Sequence, residues 1–112
     1  MKALLIDTDR KVREIEIENT LEALQAHVGG YIQTVYLNNG LIALCNEDGK
    51  LEELPPVALL LSPDGSIAYD ALCGPVVVCR AAGEELTDIQ PGDERLMRRC
   101  LFVLPAVKGV YV

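Results

Sequence analysis

Tryptophan is absent from the sequence, and phenylalanine and histidine occur once each. The aromatic residues are Tyr31, Tyr36, Tyr69, Phe102 and Tyr111. That is too few for the rows of stacking platforms that hold single-stranded nucleic acid. Long hydrophobic runs are also missing. Residues 3–6 are apolar, but Asp7 ends the run, well short of a signal-peptide core. The charge-free stretch 100–107 contains Pro105 and falls far short of a membrane span. A cytoplasmic protein with no membrane segment is the expectation. The four cysteines, Cys45, Cys73, Cys79 and Cys100, form no C-x-x-C pair, and structural zinc sites usually draw on closely spaced ligand pairs. They read as free thiols buried as small hydrophobes. Positive charge is in deficit, with 10 Lys and Arg against 17 Asp and Glu and a net charge of −7. Both halves are acidic, so there is no basic arm or tail. Phosphate neutralisation drives nucleic-acid affinity, and direct nucleic-acid binding is not expected.

What remains is enough for one aliphatic core. The 112 residues are 50% hydrophobic and 24% charged, an ordinary balance for one globular domain spanning 1–112. Residues 3–6 read as a short strand. At 12–17, Ile15 and Ile17 fall on one face and Glu14 and Glu16 on the other, the period of a strand with one wet face. Asn19 followed by Glu22 has the spacing of a capping box. Leu21, Leu24 and Val28 then form a helical stripe, which Gly29 and Gly30 end as a C-cap. The β-branched and aromatic stretch 31–37, the turn Asn38-Asn39-Gly40 and the apolar run 41–45 predict an Asn-Gly hairpin. Asn46-Glu47-Asp48-Gly49 is a second turn. It predicts a return strand at 50–54, hence a three-stranded meander over 31–54 with 41–45 in its centre.

Pro55-Pro56 interrupts the pattern, and the apolar run 57–61 is too short to distinguish helix from strand. Ser62-Pro63-Asp64-Gly65 is a turn, followed by a short strand at 66–70. Pro75 opens a buried strand at 75–80, where its missing N–H matters least. A second helix begins near Asp93. It places Leu96, Met97, Cys100 and Leu101 on one side and Arg95, Arg98 and Arg99 opposite. The tail 107–112 reads as a final strand. The predicted fold is α+β, a mostly antiparallel sheet of about five strands with two short helices.

Few residues suggest chemistry. His27 lies in the last turn of a helix, where a cation suits the dipole, so a Cys–His nucleophile pair is not indicated. Gly29-Gly30 sits at the carbonyl end of that helix, whereas phosphates bind at N-termini. Glu52-Glu53 and Glu84-Glu85 are adjacent in sequence, and on strands such neighbours point to opposite faces. No Walker A, dinucleotide-binding glycine pattern or Ser-His-Asp set is present. No enzyme, cofactor or metal is expected. The best positive patch is Arg95, Arg98 and Arg99, with Arg80 as a possible fourth member. It suits a phosphate or carboxylate, or else is a solvated helix face.

The stretch Leu24-Gln25-Ala26-His27-Val28-Gly29-Gly30-Tyr31-Ile32, followed by Cys45-Asn46-Glu47-Asp48-Gly49-Lys50-Leu51, resembles the Domain of Unknown Function 3846 family. Cys73-Gly74-Pro75-Val76-Val77-Val78 looks like that family's Gly-led apolar strand, and Leu86-Thr87-Asp88-Ile89 resembles its closing polar stretch. The resemblance covers about residues 1–102 and leaves 103–112 as an addition. The motif residues Gly29, Gly30, Asn46, Gly49 and Gly74 fit backbone roles, as Asn19, Asn39 and Gly40 do from the cap and turn signals above. Where relatives often carry an Asn-Arg pair after a proline, this chain has Pro55-Pro56-Val57-Ala58. The family implies a setting, small accessory products of bacterial phages, plasmids and integrative elements, and no activity.

The expected function is therefore that of a non-enzymatic accessory protein binding a macromolecular partner. One version is an acidic DNA mimic with carboxylates spaced like phosphates. An alternative is a binder of a small anionic ligand such as a nucleotide, using Arg95, Arg98 and Arg99 with Tyr31 or Tyr36. A third is a self-associating module, a homo-oligomer paired through its apolar tail.

Overall fold

The computed structural model describes residues 1–106. The expected tail strand at 107–112 lies outside the described residues. The elements in chain order are β1 (Lys2–Ile6), β2 (Val12–Glu16), α1 (Leu21–Val28), β3 (Ile32–Asn38), β4 (Leu41–Asn46), β5 (Pro56–Leu61), β6 (Ala68–Cys73), β7 (Val76–Ala82), β8 (Glu85–Thr87), α2 (Asp93–Cys100) and β9 (Leu101–Val103).

Two antiparallel sheets result. The larger has the order β2-β1-β7-β4-β3, with β8 also paired to β7. The smaller has the order β6-β5-β9. The α+β class with two short helices is as expected, and the separate small sheet is an addition to it.

Alternation along the central strands explains the layering. Ala3 and Leu5 of β1, Ile42 and Leu44 of β4, and Val77 and Cys79 of β7 pack with Leu24 and Val28 of α1 on one face. Their neighbours Leu4 and Ile6, Leu41, Ala43 and Cys45, and Val76 and Val78 pack on the other. That second face meets Val57, Ala58 and Leu60 of β5, Leu72 of β6, Met97 of α2 and Leu101 of β9. The order of layers is thus α1, large sheet, then small sheet with α2. Strands covered on both faces read as unbroken apolar runs, which is why 41–45 and 76–79 show no alternation.

Several local expectations are corrected. The helix N-cap is Thr20, whose side chain accepts from the Ala23 N–H at 3.2 Å. Asn19 instead donates its amide to the Leu86 carbonyl at 3.0 Å, tying the helix entrance to β8, so the Asn19–Glu22 capping box does not form. Leu21 is 61% exposed and takes no part in the buried stripe. The C-cap is as read. Gly29 has φ 82° and donates to the Gln25 carbonyl at 2.8 Å.

The return strand at 50–54 is not formed. The segment coils, with Glu52 N–H donating to Asp48 O at 2.8 Å and Leu54 N–H to Gly49 O at 2.9 Å. Lys50-Leu51-Glu52-Glu53-Leu54 lacks β-branched and aromatic residues, and its members favour helical turns. The place beside β4 is taken by the more apolar β7, in the register Ile42↔Cys79 and Ala43↔Val78. The predicted meander is therefore a two-stranded hairpin. It turns at Asn39 (φ 50°) and Gly40 (φ 82°), the paired positive φ of a type I′ turn. The run 57–61 is a strand, and the strand expected at 66–70 begins at Ala68 and continues to Cys73.

Candidate functional site

β3 is one edge of the large sheet and β6 is one edge of the small sheet. The seam between them is open. Two adjoining hollows of about 710 and 510 Å³ run along it and share Tyr36 and Leu60.

The lining identifies what the seam presents. Gln33, Thr34, Val35 and Tyr36 border the larger hollow in succession, and so do Asp70, Ala71, Leu72 and Cys73 on the other side. Successive strand residues point to opposite faces. Four in a row border one cavity through the backbone edge they share. The seam is thus walled by two strand edges, and no ladder joins β3 to β6.

Side chains give the two ends different character. At one end Lys50 pairs with Asp70. This hydrogen bond holds the Asp70 carboxyl below the ordinary carboxylate range against the opposing effect of burial, with help from the Ala71 N–H. Glu47 lines the same end and is exposed. At the other end the smaller hollow is bordered by Arg99 and Tyr69 as well as Tyr36. Tyr36 is 80% and Tyr69 65% exposed, and Leu51, which lines the larger hollow, is 85% exposed. Three of the seven exposed large hydrophobic residues among the described residues therefore rim this one groove.

The arginines expected to act together are separated. Arg98 Nε donates to Glu94 Oε2 at 3.2 Å. Arg95 is exposed and borders neither hollow. Only Arg99 reaches the seam, and among the described residues no carboxylate pairs with it. Arg80 does not join any patch. Its Nε and Nη2 donate to the two carboxylate oxygens of Asp93 at 2.7 Å each, and its Nη1 to the Asn39 carbonyl at 2.9 Å. Tyr36 borders both hollows, and Tyr31, 71% exposed, borders neither. Tyr69 was not singled out in the sequence, and no local signal marks it; only the pairing of β5 with β6 brings it beside Arg99.

The backbone residues also find places. Asn46 is buried and works as a tie. Its Nδ2 donates to the Val28 carbonyl at 3.3 Å and to Glu52 Oε1 at 3.0 Å, and its Oδ1 accepts from the Asp48 N–H at 2.8 Å. A Cβ on Gly30 would come within 3.0 Å of that Nδ2. A Cβ on Gly49 would come within 2.6 Å of the Cys73 carbonyl, and one on Gly74 within 2.8 Å of Leu54 Cδ1. Of these glycines, Gly49 lines the larger hollow next to Lys50.

The Cys45 thiol, on the floor of the larger hollow, is pushed up to about 11 by burial, with Asp70 and Cys73 adding to it. Burial likewise pushes Cys79 up to about 11 and raises Cys100. These thiols stay protonated at neutral pH and are poor nucleophiles. His27 is exposed on α1, across the large sheet from Cys45. Among the described residues no three His, Cys, Asp or Glu side chains converge as a metal site, and no helix is long and apolar enough to cross a membrane.

A family model described as Domain of unknown function (DUF3846) matches residues 1–100. No curated protein and no solved structure matches the chain.

Proposed function

The chain belongs to the DUF3846 family, and on that footing we propose that it is a non-enzymatic interaction protein that binds a macromolecular partner through the seam between its sheets. The setting proposed with it is the bacterial cytoplasm, as an accessory product of a mobile element. The carrying observation is the pair of strand edges, unpaired among the described residues, that wall a groove rimmed by Tyr36, Tyr69 and Leu51. Exposed apolar surface gathered at one place marks an interaction site, and Tyr is favoured at such sites because one ring supplies both apolar area and a polar tip. The DNA-mimic version is less favoured, because Asp9, Asp70, Asp93 and Glu94 are each neutralised by an arginine or lysine.

Site-specific photo-crosslinking tests this reading. A photoreactive phenylalanine analogue placed at Tyr36 or at Tyr69, in the full chain in bacterial cytosol, is expected to give one shared heavier adduct. The same analogue at Glu22 on α1 gives none. Adducts from Glu22 alone, or none from either seam position, overturn the proposal.

A second reading rests on Arg99, which combines with Tyr36 and Tyr69 around the 510 Å³ hollow. A guanidinium without a carboxylate partner among the described residues, bordering the same hollow as two tyrosines, suits a small anionic aromatic ligand such as a nucleotide. Nucleotides at millimolar concentration then raise the thermal midpoint of the chain, and Arg99→Ala abolishes the rise. No rise, or the same rise in the variant, removes this reading.

A further inference from the structure

The structure carries the partner's chemistry one step further. We infer that the seam takes an extended peptide segment of a protein partner as an added strand on β3, oriented by an acidic residue at Arg99 and a basic residue at Glu47. This rests on the interaction reading above and names the form of the partner.

The exposed groups of β3 follow from its ladder. The Glu47 N–H donates to the Tyr31 carbonyl at 2.8 Å, and the register runs Ile32↔Asn46, Gln33↔Cys45, Thr34↔Leu44, Val35↔Ala43. In an antiparallel pair, bonded and non-bonded positions alternate. Tyr31, Gln33 and Val35 therefore bond to β4, while the N–H and C=O groups of Ile32, Thr34 and Tyr36 point into the seam. Nothing among the described residues bonds to those outward groups.

The edges of β2 and β9 are guarded, whereas β3 is interrupted only at its hairpin end, by a register shift between Tyr36 and Asn38. Proteins blunt free edges with charges, prolines, bulges or very short strands. β2, the opposite edge of the large sheet, carries Arg13, Glu14 and Glu16. β9, an edge of the small sheet, has three residues. β3 runs Ile-Gln-Thr-Val-Tyr-Leu-Asn, with no charge and no proline over a full-length strand. Such an edge beside a pocketed groove is the arrangement of strand-addition recognition, where main-chain bonds supply affinity and pockets select alternate side chains.

Charge selects the occupant. Among the described residues Arg99 has no carboxylate partner at one end of the groove, and Glu47 no cation at the other. A segment with an acid at one end and a base at the other satisfies both. A second copy of the chain brings another −7 and is repelled.

The probe is a displayed library of random decapeptides, selected on the full chain, and a synthetic peptide of the resulting consensus. The consensus is expected to be apolar at alternate positions with an acidic end. Hydrogen exchange followed by NMR reads the register: binding protects the amides of Ile32, Thr34 and Tyr36 and leaves Gln33 and Val35 unchanged. N-methylating the peptide at every second residue, in the phase that faces β3, weakens binding about tenfold or more per bond lost. Selection on Arg99→Glu replaces the acidic end by a basic one. Protection elsewhere, equal sensitivity to N-methylation on a surface away from β3, or an unchanged consensus with Arg99→Glu overturns the inference, as does the absence of any selected peptide. In each of those cases the photo-crosslinks at Tyr36 and Tyr69 still decide the wider reading on their own.

Discussion

The guanidinium of Arg80 joins three segments far apart in sequence: β7, the hairpin turn at Asn39 and the first residue of α2. Its partner Asp93 is almost wholly buried and also accepts from the Gln90 N–H at 2.7 Å. The Arg80 hydrogen bonds hold the Asp93 carboxyl below its ordinary 3.8, against the opposing effect of burial. A depressed folded value means the pair stabilises fully above the unfolded value and is lost as pH falls through the folded one. Asp93→Asn leaves a half-buried arginine without its counter-charge. It is expected to cost about 2–3 kcal/mol at neutral pH, measured by urea unfolding. As pH falls below 3.8 and on through the lowered folded value, the difference between the two proteins narrows, because the wild-type carboxyl is then also losing its charge. An undiminished difference there would assign the cost to packing.

Among the elements, the coil at 47–54 shows where sequence reading succeeds and where it stops. Both turns of the 38–49 region were legible because Asn-Gly and Asn-x-x-Gly are local signals. What followed the second turn was not, because it depends on which strand occupies the far side of β4. The backbone of Gly49 lies against the Cys73 carbonyl, a contact between β6 and this turn that no spacing in the sequence announces. Gly49→Ala forces a carbon to within 2.6 Å of that oxygen and is expected to cost about 2 kcal/mol. Gly65→Ala, with open space but φ 76°, is expected to cost about 1 kcal/mol. Thermal denaturation of the two variants ranks them, and equal midpoints would show that the turn yields. The same dependence hid the seam. Tyr36 and the arginines could be proposed from sequence, whereas Tyr69, the free β3 edge and the diversion of Arg80 and Arg98 required the pairing of strands and the placement of α2. The Thr20 cap lies one residue from the expected one, since Asn and Thr both cap and only the tie from Asn19 to Leu86 distinguishes them.

For the molecule as a whole, the two apolar clusters share one wall, the large sheet. The Leu104 N–H donates to the Val57 carbonyl at 3.0 Å, and Arg10 Nη1 to the Pro105 carbonyl at 3.2 Å. A chain ending at Phe102 would cut this ladder, so the informative truncation is after Ala106. It is expected to leave the thermal midpoint and the light-scattering mass unchanged; a fall in mass would show that 107–112 holds copies together. The position of β7 has a further consequence for synthesis. It pairs with β1, β4 and β8, and Leu5 meets Val77. On the ribosome the hairpins β1–β2 and β3–β4 emerge as separate ribbons, each marginal in water alone. They wait for the residue run 76–82 before either cluster can close, and such long-range pairing is slow. Until that strand leaves the exit tunnel the nascent chain remains open to proteases and chaperones, so a stall before Val76 yields a polypeptide marked for degradation.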